Sequence, residues 1–184
     1  MSVRFVGIDP ATKTGVVALD LQGNVLLEQE IKGVGPTVKG GISAEQLVSL
    51  ENQLYRLLEP GDEIVIESPA FGTQTAITTG MIHGGIRTMI KRKGLDFDLL
   101  NPNHTKKYVG VKIVRGESQK QKKDRVAAAV KELFGYTHKS DNVVDAYIIA
   151  RVSLSLHLMR NYIPPIDNDR IQIEVVQGLM EKVE

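Results

Sequence analysis

Hydrophobic positions fall in short continuous runs over the first third of the chain and at helical spacing over most of the remainder. Residues 3 to 8 form one such run, closed by Asp9. Pro10 to Gly15 reads as a turn, Val16 to Asp20 as a second strand, Gln22-Gly23-Asn24 as another turn and Val25 to Ile31 as a third strand. Connections this short predict an antiparallel three-strand meander. Gly33 to Gly41 is glycine-rich and reads as a mobile loop. Gly35 and Gly40 carry the spacing of a phosphate loop, but Gly41 and Ile42 occupy the positions that need Lys and Ser or Thr, which excludes that motif.

Helical periodicity begins after Ser43, which forms a capping-box pattern with Gln46. Leu47, Leu50, Leu54, Leu57 and Leu58 then make an apolar stripe that stops at Pro60-Gly61. Ile64 to Glu67 reads as a buried strand. Because it follows a helix, it is expected to run parallel to the first strand. Residues 73 to 93 predict a long helix containing Gly80, Gly84 and Gly85. Each glycine there costs roughly 1 kcal/mol relative to alanine, which close packing on the sheet or at a dimer interface would offset. Phe97 to Leu100 reads as a further strand, and Ser118 caps a helix from Gln119 to Phe134. The last long helix spans Asn142 to Arg160 and ends before Pro164-Pro165, and a short amphipathic helix spans Ile171 to Val183. With no repeat and no linker, the organisation is one domain over 1–160 and a C-terminal extension over 161–184. The class is α/β: a mixed five-stranded sheet, an antiparallel three-strand meander followed by parallel strands, flanked by helices.

A chain of 184 residues with 42% hydrophobic and 24% charged residues fits one globular domain with a substantial core. It has no cysteine, which excludes disulfides and Cys-ligated zinc. No apolar run reaches membrane-spanning length, and nothing like a secretory leader opens the sequence, so a cytoplasmic location is expected. The formal charge of +1 is uninformative, but its distribution is not. Lys106, Lys107, Lys112, Arg115, Lys120, Lys122, Lys123 and Arg125 lie in one short segment, opposed only by Glu117 and Asp124. Arg87, Lys91, Arg92 and Lys93 form a second cluster. Basic density of this kind marks a surface for a polyanion, against the plainer reading of solvated helix faces.

Four acids stand out by context. Asp9 and Glu67 each end an apolar strand, and Asp141 and Asp145 are one helical turn apart at the start of the longest helix. Any one of them could be a loop cap or an ion-pair partner, and Asp141 in particular suits a helix N-cap. Together they suggest a site for hard, oxygen-preferring cations such as Mg2+ or Mn2+. Asn142 adds a neutral oxygen on nearly the same helix face. Such a cluster can hold two ions and support phosphodiester hydrolysis. Without a cation the carboxylates would repel, and at least one would bind its proton more tightly. Four histidines, His83, His104, His138 and His157, show no metal spacing.

These motifs carry a resemblance. Gly7-Ile8-Asp9-Pro10-Ala11-Thr12-Lys13-Thr14-Gly15, Ile64-Val65-Ile66-Glu67-Ser68-Pro69 and Asp141-Asn142-Val143-Val144-Asp145-Ala146-Tyr147 resemble, in order and separation, the acidic motifs of the RuvC Holliday junction resolvases, the last of them in its phage and prophage variant. The resemblance covers roughly residues 3 to 158 and leaves the tail outside it. It implies an RNase H-like fold, a homodimer, and Mg2+- or Mn2+-dependent cleavage of four-way DNA junctions. It also implies an aromatic, here Phe71, stacked on a base at the junction centre, and an important lysine that could be Lys112, Lys120 or Lys123. The chain departs from the bacterial pattern at Asn142, where an acid or His is usual. Whether Asp141 or Asn142 completes the second metal site is left open.

The expected activity is therefore a crossover junction endodeoxyribonuclease with no small-molecule cofactor and no membrane partner. Three other classes remain: a nuclease of the same fold acting on RNA–DNA hybrids or forks, an actin-like kinase, and a non-catalytic junction-binding protein. A kinase needs a second domain for which 184 residues leave little room. Binding alone gains nothing from clustered acids facing phosphate.

Overall fold

The computed structural model describes residues 3–39, 41–69, 76–112, 114 and 116–181. Its five strands are β1 (Phe5–Asp9), β2 (Lys13–Leu19), β3 (Val25–Lys32), β4 (Glu63–Glu67) and β5 (Asp98–Leu100). Its six helices are α1 (Ala44–Leu57), α2 (Ala76–Arg92), α3 (Pro102–Tyr108), α4 (Gln119–Phe134), α5 (Asp141–Arg160) and α6 (Arg170–Met180). The strands form one sheet in the order β3-β2-β1-β4-β5. The first three pair antiparallel, and β1, β4 and β5 pair parallel, as the hydrophobic pattern predicts.

Alternation along the strands divides the core into two layers. Val6, Ile8, Val16, Ala18, Ile64 and Ile66 pack against α1 and α2. Phe5, Val17, Leu19 and Val65 pack on the opposite face against α5, with α3, α4 and α6 completing that layer. Phe5, Gly7 and Asp9 share one parity, as do Val65 and Glu67, so both strand-end acids project from the face that carries α5.

Helix α5 lies against β1 and β2 at backbone contact. A Cβ on Gly7 would stand 2.1 Å from the Ala146 carbonyl oxygen and 2.3 Å from the Ala150 nitrogen. A Cβ on Gly15 would stand 1.9 Å from the Asn142 carbonyl oxygen. Gly15 is also the residue paired with Asp9 across the sheet. The first turn of α5 is thereby seated beside the acid of β1.

Two features differ from expectation. β2 begins at Lys13, because Thr14 is buried and its Oγ1 donates to the Ala11 carbonyl at 2.7 Å, closing the turn three residues earlier. Helix α3 is an addition to the predicted elements, although Asn101 caps it and Pro102 opens it.

The C-terminal extension is built into the main core. Val175, Val176 and Leu179 of α6 are buried in the layer that contains Tyr108 and α5. In the connection before α6, the buried Asp167 accepts from Arg151 Nε at 2.8 Å and Nη2 at 2.5 Å, and from the Tyr108 hydroxyl at 2.7 Å. A buried carboxylate is tolerated only with this degree of pairing. No helix among the described residues is long and apolar enough to cross a membrane.

Candidate active site

The register of the sheet assembles the site. Ile8 pairs with Ile66 in the parallel β1–β4 ladder, so Asp9 and Glu67 end adjacent strands on the same face. Asp145 enters from the first turns of α5. Each of the three side chains is partly buried. Their proximity is visible in their electrostatics. Burial first, then the charges of Glu67 and Asp145, hold the Asp9 carboxyl well above the usual carboxylate range. Burial, then Glu67 and later Asp141, push Asp145 up to about 7, with Lys106 and Lys123 acting against that rise. Burial also raises Glu67, opposed by a hydrogen bond from Thr105 and by the charges of Lys106 and Lys122.

Thr105 is fully buried, and its Oγ1 donates to Glu67 Oε1 at 2.7 Å. It occupies one oxygen of the carboxylate whose charge reaches Asp9 and Asp145. Beside the acids opens a pocket of about 130 Å³ whose polar lining is Lys106, Gln119, Lys122, Lys123, Asp141 and Asp145. Asp141 Oδ2 lies 3.0 Å from Lys123 Nζ. Asn142 turns away from the acids: its Nδ2 donates to Glu30 on β3 at 3.3 Å, and the Ser140 hydroxyl donates to the same carboxylate.

The structure thus brings Asp9, Glu67 and Asp145 together, sets Asp141 on their rim and directs Asn142 to β3. Lys106 and Lys123 reach the acids electrostatically. Lys107 is drawn to Glu174 of α6 at 3.2 Å, and Lys120 and Lys112 are exposed. Arg87 is on α2, across the sheet from these lysines. Phe71 and Arg115 lie outside the described residues. The sequence reading missed Thr105 and Gln119 and counted Lys122 only as part of the basic segment, not as a residue beside the acids. Thr105 would have been legible had Asn101-Pro102 been read as a cap and first-turn proline, which places residue 105 on a helix beside β4.

The donor set is entirely oxygen and anionic, which suits a hard divalent cation. Among the described residues, no three carboxylates or imidazoles already converge closely enough to hold one. Burial is the first cause of the raised proton affinity of all three acids, with neighbouring carboxylates adding to it at Asp9 and Asp145.

No family model matches the sequence, and no curated protein matches it. Solved structures do. The chain is similar to Thermus thermophilus RuvC in complex with Holliday junction substrate, with a TM-score of 0.63 and 18% identity over 88% of this chain and 96% of that one. It is similar as well to a second Thermus thermophilus RuvC structure, with a TM-score of 0.61 and 20% identity over 88% of this chain and 97% of the other. The mixed five-stranded sheet flanked by helices is the RNase H-like fold of RuvC.

Proposed function

We propose that the chain is a metal-dependent, structure-selective endodeoxyribonuclease that resolves Holliday junctions and related branched DNA, of the phage or prophage type that its motifs resemble. The observation that carries this reading is the gathering of Asp9, Glu67 and Asp145 on one sheet face, beside a lysine-lined pocket, on the RuvC fold. A binding protein for a polyanion would gain from the lysines and lose from the acids, so the acids have another task.

Asp9, Glu67 and Asp145 are the residues that would hold Mg2+ or Mn2+, with Asp141 at the rim as the next ligand and Asn142 less well aimed. Bound there, a pair of divalent ions supplies Lewis-acid polarisation of the phosphodiester and activation of the attacking water. The chain's own residues bring the substrate to that point. Lys106, Lys122 and Lys123 accept the phosphate backbone, with Lys107, Lys112 and Lys120 extending the basic surface along α3 and α4. The base-stacking Phe71 is assigned by resemblance to the same DNA surface, and Arg115 by its place in the same basic run; Arg87 belongs to the second basic cluster of the sequence, on α2.

A homodimer supplies the two cuts that a four-way junction needs. On α2, the exposed residues Ile77, Gly80, Met81, Gly84 and Thr88 form one side of the helix, a surface suited to close helix contact between two copies. The location is the cytoplasm.

Incubation of the protein with labelled four-way junction, fork, RNA–DNA hybrid and linear duplex, with Mg2+, with Mn2+ and with chelator, tests the reading. Paired incisions near the junction centre that vanish with chelator are expected. Preferential cleavage of the hybrid would move the activity to another branch of the fold, and binding without cleavage in either metal would remove the nuclease assignment.

A further inference from the structure

Helix α3 is only seven residues long, yet it carries two contacts of consequence on one side, Thr105 and Tyr108, three residues apart. Thr105 donates to Glu67 at 2.7 Å. Tyr108, 1% exposed, donates to Asp167 at 2.7 Å and lies 3.1 Å from the Ser155 hydroxyl on α5. Asp167 is anchored in turn by Arg151 of α5 through two hydrogen bonds. The seat of α3 is therefore made by α5 and by the C-terminal extension. The extension supplies the Asp167 carboxylate, the apolar side of α6, and Glu174 on Lys107. Everything α3 presents to the acids, the Thr105 hydroxyl and the Lys106 ammonium alike, depends on that seat.

From this connected set we infer that residues 161–180 are a working part of the catalytic domain. Asp167 and Tyr108 are positioning residues that seat α3, and Thr105 is the positioning residue through which that seat fixes the orientation of Glu67. The inference rests on the reading of Glu67 as a metal-holding carboxylate. A hydroxyl bonded to one carboxylate oxygen restricts rotation of the group and directs the other oxygen into the site. Partners of this kind typically change metal affinity by roughly 10–100-fold when removed.

The test is Mn2+ binding by the full chain, measured by calorimetry and by the electron paramagnetic resonance of free Mn2+, beside a thermal melt of each variant. Thr105→Val is expected to weaken Mn2+ binding by roughly 10-fold or more. Thr105→Ser, which restores the hydroxyl, is expected to return affinity to within about threefold of the wild type. Tyr108→Phe keeps the ring and removes the hydroxyl's links to Asp167 and to Ser155; it is expected to weaken binding in the same direction by a smaller factor. A purely structural role would shift the melts and leave the affinity of the folded protein unchanged. Equal Mn2+ affinity in wild type, Thr105→Val and Tyr108→Phe overturns the inference while leaving the metal site standing. Loss of affinity in Thr105→Val with none in Tyr108→Phe overturns the part assigned to the extension. A wild-type chain that takes up no Mn2+ overturns the metal reading, and this inference with it.

Discussion

The carboxylate of Asp141 sits 3.0 Å from the ammonium of Lys123, joining the first turn of α5 to α4 at the edge of the pocket that Asp145 enters. Both partners are about half exposed, 50% for Asp141 and 51% for Lys123. The two acids of this helix turn are therefore unequal: one is charge-paired in water, the other is crowded among carboxylates. Asp145→Asn is expected to reduce junction cleavage by at least about 100-fold. Asp141→Asn is expected to stay within roughly tenfold of the wild type, since an exposed ion pair contributes at most about 1 kcal/mol. Single-turnover cleavage of a labelled junction ranks them, and the reverse order would exchange their roles.

Asp9→Asn and Glu67→Gln are expected to abolish cleavage while junction binding persists. Each substitution removes a negative charge that faces phosphate, so gel-shift affinity in the absence of metal should hold steady or increase. Full cleavage by either variant would remove the strand-end pair from the chemistry.

Asp145 makes one contribution to the pH dependence of the metal-free protein, in the same direction as those of Asp9 and Glu67, whose proton affinities are also raised. Its folded-state proton affinity lies near pH 7, above the usual carboxylate value of 3.8. Between those values the folded chain holds a proton that the unfolded chain has released, so this group's contribution to stability is full below about pH 4 and is lost as pH rises through 7. The contribution changes by about 1.4 kcal/mol for each tenfold difference in proton affinity between the two states. In chelator, Asp145→Asn is expected to melt increasingly above the wild type from pH 5 to pH 8. Added Mg2+ is expected to raise the wild-type melting temperature at pH 8 and to do so far less at pH 5, where protons compete. Parallel melting curves for the two proteins across this range would contradict the crowding of the acids.

On α4, Lys122 and Lys123 line the pocket while Lys120 does not. Lys122→Glu and Lys123→Glu are expected to weaken binding to every DNA form and to lower the log–log salt slope by roughly 0.9 for each phosphate that is no longer neutralised. Lys120→Glu is expected to have the smaller effect. Fluorescence anisotropy across a salt series measures all three, and unchanged slopes would leave α4 as an ordinary solvated helix.

Asp9, Glu67 and Asp145 were legible in the chain because each breaks an apolar run, and the parity of strand positions forces the first two onto one face. The meeting of Asp9 and Glu67 followed from sheet order, while Asp145 joins them through the close seating of α5 on Gly7 and Gly15. Ser43 and Ser118 were legible as caps for the same local reason, and both capping boxes are present. The orientation of Asn142 was not legible. Its partner Glu30 is 112 positions away on an edge strand, and no local pattern records that pairing. The Asp167–Arg151–Tyr108 cluster escaped for the same reason: a carboxylate in a polar connecting segment looks solvated until the fold buries it. Thr105 fell between these cases, since the cap that defines its helix is local while its contact with Glu67 is not.

Gly7 and Gly15 give the site a fixed gauge. Where two backbones touch, the gap between them has no adjustable spacer; it can only widen. The offset between the strand bearing Asp9 and the helix bearing Asp145 is therefore set by main-chain contact and does not vary with any side-chain rotamer. A single methyl group at Gly7 would act as a shim of known thickness. Gly7→Ala must move α5 outward by roughly 1 Å or more to reach ordinary van der Waals distance, since its Cβ would otherwise sit 2.1 Å from the Ala146 carbonyl oxygen. Such a shim would change the spacing of the two acids without altering either of them.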